Sequence, residues 1–267
     1  MTLFYHQAFL MIREHLFHKR AAADPLFRWR GGEVSRLEAF SDAVFALTLT
    51  LLVVSVSAPT SFYELYVTVR DLPIFLVSFA MLMMAWFYHY QFFRRYGMED
   101  AMTTTLNAAF MFLVVFFAYP LKFLATFLWG LVRGDREGVN GLFQDPRIQE
   151  LGFSEFDERV WMMHIYAIGI IGVFGVLAMM VGVALKKRKE LELDELELFL
   201  TKRALLHHCM TVSVALLSVM VLMTTNQPGL AGITYFIMGP LHGIVGWRGG
   251  VRAEQIHQAL ILKAKQG

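Results

Sequence analysis

Polar side chains recur in three stretches of the sequence that are otherwise almost wholly apolar. An unpaired polar group in hydrocarbon costs several kcal/mol, so such side chains either satisfy one another or serve an ion or proton path. An aspartate, a histidine, an indole N–H and a carboxamide together have the donors and acceptors for both tasks. The side chains are Ser41, Asp42, Thr48 and Thr50 in the first stretch, Trp86 and His89 in the second, and Asn107 in the third.

The spacing predicts that these groups lie at a similar depth on three consecutive helices. Asp42 comes near the start of the first stretch. His89 precedes Arg94 by five residues, or about 7.5 Å along a helix, and Asn107 follows Asp100 by seven residues, or about 10 Å. Two interpretations are open: a buried hydrogen-bonded network that fixes helix packing, or a site that binds an ion or relays protons.

The composition indicates that the elements carrying these residues cross a membrane. Of 267 residues, 57% are hydrophobic and 17% are charged, whereas a soluble domain is about half apolar and about a quarter charged. The net charge of +2 does not suggest a nucleic-acid partner, and the single cysteine excludes an intrachain disulfide or a cysteine-rich zinc site. A membrane-spanning helix needs about 20 mostly apolar residues. Six blocks meet this requirement: Leu37–Ala58, Leu72–Phe93, Thr103–Leu128, Val160–Leu185, Ala204–Thr224 and Leu230–Trp247.

Charge asymmetry orients the six predicted spans. Eighteen of the 24 Lys and Arg residues fall before the first span, in alternate loops, or in the tail, which predicts that both termini are cytoplasmic. The N-terminal extension contains a segment, Phe4–Phe17, that is either an amphipathic helix at the membrane surface or a solvated extension. The predicted division is a cytoplasmic N-terminal amphipathic extension (1–35), a transmembrane unit (36–248) with a long external loop (about 129–159) and a charged cytosolic loop (about 186–203), and a cytoplasmic tail (249–267).

Three segments carry a family resemblance. Residues 36–42 have the form R-x-x-x-F-S-D at the start of the first span, and this resembles the signature of the transmembrane protein 175 family of potassium channels. Residues 78–93 and 105–123 agree with the family's second and third helices. The matching positions are Arg36, Phe40, Ser41 and Asp42, then Trp86 and His89, then Asn107 and Pro120.

The resemblance implies an all-α membrane protein that forms a homotetramer, with the first helix of each subunit lining a central pore. It implies a constriction of apolar rings, at Leu47 and then at Leu51 and Val54, in place of a carbonyl selectivity filter. At 100° per residue these three residues lie within about 60° of one another, and Thr50 lies on their flank. Asp42 lies about 140° from Leu47, so it is expected to point toward the polar network. Permeating K⁺ would pass near Leu47 and Thr50, with no cofactor and no fixed metal.

The predicted function is therefore a potassium channel with a modest preference for K⁺ over Na⁺, in the inner membrane of a bacterium. Membrane lipid and further copies of the chain are the expected partners, and nucleic acid is not. The alternatives are a proton- or cation-coupled secondary transporter and a structural membrane protein, in which the apolar stripe would pack or face lipid. An enzyme is not expected, because no H-E-x-x-H, G-x-S-x-G or paired-carboxylate motif occurs in the spans.

Overall fold

The computed structural model describes residues 26–54, 58–152 and 154–266, and every regular element in these ranges is a helix. The predicted helix at Phe4–Phe17 lies outside the described residues. In chain order the elements are α1 (Arg36–Val54), α2 (Phe62–Arg70), α3 (Leu72–Tyr96), α4 (Ala101–Arg133), α5 (Arg136–Gly141), α6 (Pro146–Glu150), α7 (Glu155–Lys186), α8 (Glu195–Thr225), α9 (Pro228–Ile233), a 3₁₀ turn (Thr234–Ile237) and α10 (Met238–Gln266).

Side-chain caps start three of the long helices, α4, α7 and α8. The carboxylate of Asp100 accepts hydrogen bonds from the first backbone amides of α4, and Ser154 and Asp194 each form a reciprocal capping box at the start of α7 and α8. Gly134 ends α4 in the left-handed conformation, with φ of 68°. Since an uncapped helix end leaves backbone groups without partners, these polar residues fix where the apolar stretches become helical.

Helix α4 is the central element of the bundle, because it contacts α1, α3 and α7. Glycines permit the close approach of α7 to α4. A Cβ atom at Gly169 would lie 2.6 Å from the ring of Phe117, and one at Gly172 would lie 3.2 Å from Leu113. Helix α7 in turn packs along α8, and α8 packs against α10. Helix α1 packs against α3 and α4, and α3 also contacts α7 and, through Tyr96 and Thr201, α8.

Five helical segments in the described ranges are long and apolar enough to cross a membrane: α3, α4, the part of α7 from Asp157, α8, and the stretch Pro228–Lys263. Helix α1 is not among the five. Its 19 described residues span roughly 28 Å, close to the hydrocarbon thickness of about 30 Å. Residues 55–57, which belong to its predicted block, lie outside the described residues.

One predicted span differs from the structure. The block Leu230–Trp247 is not one continuous helix, because the 3₁₀ turn at Thr234–Ile237 interrupts the path from α9 to α10. Residue 248, the predicted boundary of the tail, lies within α10, which continues without a break to Gln266. The short helix α2 was not anticipated; the Ser61 side chain caps it.

Candidate functional site

Helix α1 has a buried face and an exposed face. The side chains of the buried face recur every three or four residues, as one face of a helix requires. Three of the five are polar, and their hydrogen-bonding groups are engaged: Ser41 donates to Leu37 O at 2.8 Å, and Thr48 donates to Val44 O at 2.7 Å. The residues of this face are Glu38, Ser41, Phe45, Thr48 and Leu52.

The exposed face is more apolar than the buried one. Phe40 is 62% exposed and Leu47 is 59% exposed. The hydroxyl of Thr50 donates to Ala46 O at 2.9 Å, so its oxygen lone pairs remain available on the exposed side. Leu51 is half-buried, and the side chain of Val54 lies outside the described part of the structure. We define the exposed face as Phe40, Ala43, Ala46, Leu47 and Thr50.

Behind the buried face, three helices meet through a directional chain of hydrogen bonds. Ser41 uses its hydrogen within α1, so its oxygen accepts from Asn107 Nδ2 at 2.9 Å. The Asn107 oxygen then faces His89 Nε2 at 2.7 Å, which requires that nitrogen to carry a proton. The His89 ring stacks on Phe110, with centroids 5.7 Å apart. The chain therefore links α1, α3 and α4 inside an aromatic cage.

The two remaining predicted members of the network lie apart from this chain. Trp86 Nε1 donates to Asp42 Oδ1 at 2.9 Å, and both residues belong to the more accessible side of the α1–α3 contact. The Trp86 ring stacks on Tyr90 at 5.3 Å, and the guanidinium of Arg94 lies over that ring at 5.6 Å. The expectation of one shared network is therefore corrected to two: a buried chain and an accessible indole–carboxylate pair. Asp42 itself is exposed rather than turned into the bundle.

A set of charged residues that the sequence did not reveal surrounds the start of α1. Arg30 donates to both carboxylate oxygens of Glu197 on α8, and Arg28 N donates to the same carboxylate at 2.9 Å. The Glu197 side chain is only 2% exposed. On α1, Glu38 pairs with Arg94 of α3 at 3.7 Å. We call Arg30, Glu38, Arg94 and Glu197 the collar.

The backbone reinforces the collar. The amides of Arg30 and Gly31 both donate to Arg94 O, at 3.1 and 3.2 Å. Gly97 ends α3 with φ of 58°, and a Cβ there would lie 3.0 Å from the carbonyl of Arg30, so only glycine suits this position. By contrast, Arg36 is exposed at the first turn of α1 and makes no hydrogen bond or ion pair within the described residues.

One acidic group beside the collar lies in the connection between α3 and α4. Partial burial tends to raise the pKa of Asp100, but hydrogen bonds from Thr103 and from Lys187, whose Nζ lies 3.1 Å away, outweigh it and hold the pKa below its ordinary value. The carboxylate therefore stays charged at neutral pH and ties the start of α4 to the end of α7. Within the described residues, no group of three or more His, Cys, Asp or Glu side chains is placed to hold a metal ion.

The segment that carries this geometry matches a known protein family. Residues 36–117, from α1 into α4, match the family model described as endosomal/lysosomal potassium channel TMEM175. A potassium channel from Marivirga tractuosa is 32% identical over 236 residues, which cover 86% of this chain and 94% of that protein. The chain belongs to the TMEM175 family.

One further relative matches a smaller part of the chain, and one solved structure matches most of it. A potassium channel from Chamaesiphon minutus is 34% identical over 107 residues, which cover 36% of this chain and 51% of that protein. The crystal structure of a variant of the potassium channel MtTMEM175, in complex with a nanobody-MBP fusion protein, superposes with a TM-score of 0.71. Its identity to this chain is 32%, over 85% of this chain and 97% of the other.

Membership of the TMEM175 family establishes the general class. The chain is an integral membrane protein, and its relatives are named as potassium channels, not enzymes, in agreement with the sequence prediction. The matched segment contains both the buried chain of hydrogen bonds and the indole–carboxylate pair. Three collar residues, Arg30, Arg94 and Glu38, lie in or just before it, whereas Glu197 lies outside it.

Proposed function

We propose that four copies of the chain assemble around an axis and conduct K⁺, with a modest preference over Na⁺, between their first helices. The pore would be lined by the exposed face of α1. Its constriction would be formed by Leu47, Leu51 and Val54, with Thr50 on the flank. Phe40 would lie nearer the inner mouth, while Arg36 would contact a neighbouring subunit.

The observation that carries this proposal is the mixed chemistry of the accessible side of α1. A face turned to lipid is expected to be apolar, because a charge in the hydrocarbon region costs about 2.5–3.5 kcal/mol or more. Thr50 is exposed in a single subunit on the same face as the apolar Leu47, and the charged Asp42 is also exposed, about 140° away around the helix. Such a face suits a water-filled path between subunits better than it suits lipid.

Dewetting at the apolar rings supplies the mechanism. When a hydrophobic constriction is narrower than a hydrated ion, water leaves and the ion meets a desolvation barrier, and slight widening restores conduction. K⁺ loses its water more readily than Na⁺, which gives a modest preference without a carbonyl filter. The Thr50 oxygen, whose hydrogen is bonded to Ala46 O, can offer its lone pairs to a partly dehydrated cation. The conducted K⁺ is the only bound species the mechanism needs.

The remaining assignments follow from the sequence. We assign α1, α3, α4, α7, α8 and the segment from α9 into α10 as six spans, with both termini in the cytoplasm of a bacterial cell and the inner membrane as the site. Residues 1–35 would be a cytoplasmic extension, 36–248 the channel unit and 249–267 the cytoplasmic end of α10. The collar, with its two arginines, would then lie at the cytoplasmic surface beside other Lys and Arg residues, as the positive-inside rule favours.

The test is K⁺ flux into proteoliposomes that contain the purified protein, with Na⁺ measured in parallel. A polar side chain in the constriction should keep the pore wet, so Leu47→Asn should raise K⁺ flux about tenfold if it removes about 1.4 kcal/mol of barrier. The matched control is Leu76→Asn on α3, since Leu76 is 62% exposed against 59% for Leu47. Equal effects of the two substitutions, or no flux from folded tetramers of both, would exclude this pore.

A second experiment tests the preference for K⁺ over Na⁺. Thr50→Val keeps the shape of the side chain but removes the oxygen, so the ratio of K⁺ to Na⁺ flux should fall toward one. Thr48→Val is the control, because Thr48 is fully buried on the opposite face of α1. A ratio that changes equally in both variants would assign ion preference to something other than the exposed face.

A further inference from the structure

A cavity lies away from α1, between α3, α8 and α10. Its volume is about 370 Å³, and its wall includes Arg95 of α3, Arg203 and His207 of α8, and His242 of α10. Among the described residues that line it, none is an aspartate or a glutamate. The cavity therefore gathers two permanent positive charges and the imidazole rings of His207 and His242 in one place.

The depth of the cavity matches the region of lipid headgroups. Arg95 is the penultimate residue of α3, at the same end as Arg94 of the collar. Arg203 lies two turns into α8, which begins beside the basic run that follows α7. The rest of the wall is largely apolar, and Phe87, on the side away from the helix end, is 48% exposed. A cationic end and an apolar end are thus continuous within a single cavity.

Packing holds the basic side chains in place. The guanidinium of Arg95 lies over the ring of Phe27, 5.0 Å from its centroid. Arg203 runs across α10 at Gly249, where a Cβ would approach its Cδ to 2.5 Å. These contacts reduce the conformational entropy that each long side chain would lose on binding a ligand.

The imidazoles form a fixed wall. His207 Nδ1 and His242 Nδ1 lie 2.8 Å apart with stacked rings, and His242 Nε2 contacts the hydroxyl of Thr211 at 3.1 Å. With both nitrogens of His242 engaged, its ring cannot turn freely, and it holds the ring of His207 beside it. This part of the wall, one turn beyond Arg203 along α8, is therefore fixed before any ligand arrives.

We propose that this cavity binds a phosphate group, through Arg95 and Arg203. Guanidinium groups bind phosphate oxygens in bidentate, charge-assisted pairs, and basic pockets between membrane helices on the cytoplasmic side suit anionic headgroups. The phosphodiester of an anionic phospholipid would place its acyl chains along Phe87, whereas free inorganic phosphate would occupy the polar end alone. The site does not depend on whether the chain conducts ions.

The test measures binding to the full chain in a neutral detergent, by the shift in thermal unfolding midpoint on titration. The probes are phosphatidylglycerol, phosphatidylcholine and inorganic phosphate. Phosphatidylglycerol should raise the midpoint and phosphatidylcholine should not. In R95Q/R203Q the apparent Kd for phosphatidylglycerol should rise about a hundredfold, which is about tenfold for each lost charge-assisted pair.

Two controls separate binding from folding. Lys202→Gln removes the same charge from an exposed position next to Arg203, and the midpoint shift should persist. R95K/R203K keeps both charges and should retain part of the shift even if R95Q/R203Q is unstable. A shift produced by inorganic phosphate but not further increased by phosphatidylglycerol would assign the site to the free anion. Equal shifts with both lipids, or an unchanged shift in R95Q/R203Q, would overturn the proposal.

Discussion

The two faces of α1 use polarity in opposite ways. On the buried face, Ser41 and Thr48 are inaccessible but hydrogen-bonded: Thr48 bonds within α1, and Ser41 meets α4 and then α3 through Asn107 and His89. On the exposed face, Phe40 and Leu47 are the most accessible large side chains of the helix. In a membrane helix, apolarity therefore does not identify the core. Polar side chains share the helix contacts with Phe45 and Leu52, while other large apolar residues face outward; polar side chains at helix contacts are common in lipid.

The largest effect should come from removing an aromatic ring from the buried face. Phe45→Ala should lower the free energy of unfolding by about 3–5 kcal/mol, because Phe45 is 5% exposed and its ring contacts His89 and Phe110. Thermal unfolding in detergent, followed by circular dichroism, measures the loss.

The same substitution on the other face provides the control. Phe40→Ala should change the free energy of unfolding of the subunit by no more than about 0.5 kcal/mol. Its effect should appear instead in the cation flux or in the oligomer mass measured by light scattering. Equal unfolding losses in the two variants would abolish the distinction between the faces.

A smaller loss is expected where the buried chain of hydrogen bonds is cut. Asn107→Leu keeps the approximate volume but leaves His89 and Ser41 without the partner between them, which should cost about 2–3 kcal/mol. The measurement is again the unfolding midpoint. Combining it with His89→Leu should recover part of the loss, because the second change removes the stranded donor. A double variant whose loss equals the sum of the single losses would show that the two residues are not coupled.

The accessible pair should contribute less than the buried chain. Trp86→Phe removes the indole N–H that donates to Asp42, and it should cost about 1 kcal/mol. Asp42→Asn retains an acceptor oxygen and should cost less than Trp86→Phe. Equal losses of unfolding free energy in Trp86→Phe and Asn107→Leu would show that burial does not determine how much each set of hydrogen bonds contributes.

The smallest effect is expected at Asp100, outside both faces. Because its pKa in the folded protein is lowered, the stabilisation it gives is complete above the pKa of the unfolded chain and is lost as the pH falls through the folded value. Unfolding midpoints should therefore stay level from neutral pH down to about 5 and decline below about 4. The unfolding midpoint of Asp100→Asn should decline less over the acidic range. In the parent protein, added salt should weaken the contact between Asp100 and Lys187. A parallel decline in both proteins would mean that Asp100 contributes nothing to the acid response.

Much of the helical architecture could be predicted from apolar blocks and caps. The spans containing Trp86, Asn107 and Gly169 begin and end near their predicted positions, since about 20 apolar residues bounded by charges have few other structures available. The break at Thr234–Ile237 was missed, although Pro240, in the first turn of α10, has no amide hydrogen to continue a helix from Phe236. Packing contributes as well, including the hydrogen bond from Ser218 to Ala231 O at 2.9 Å.

The candidate site was predictable only in part. Linear spacing brought Asp42, Trp86, His89 and Asn107 to one depth, but it could not say which donor meets which acceptor. The D-x-x-E pattern at 194–197 predicts a helix cap, yet the burial of Glu197 depends on Arg30, which is 167 residues away along the chain. Contacts over that distance follow from tertiary packing, which local patterns do not report.

The collar sets a mechanical limit on α1. Only five residues separate Arg30, which is bound to Glu197 of α8, from Arg36, where α1 begins. The connecting segment can therefore extend only a short distance. If the first turn of α1 slides or rotates, it must therefore displace α8 or break the Arg30–Glu197 ion pair. This short connection couples the two helices. A displacement of α8, or of the turn before it, is therefore transmitted to the start of α1.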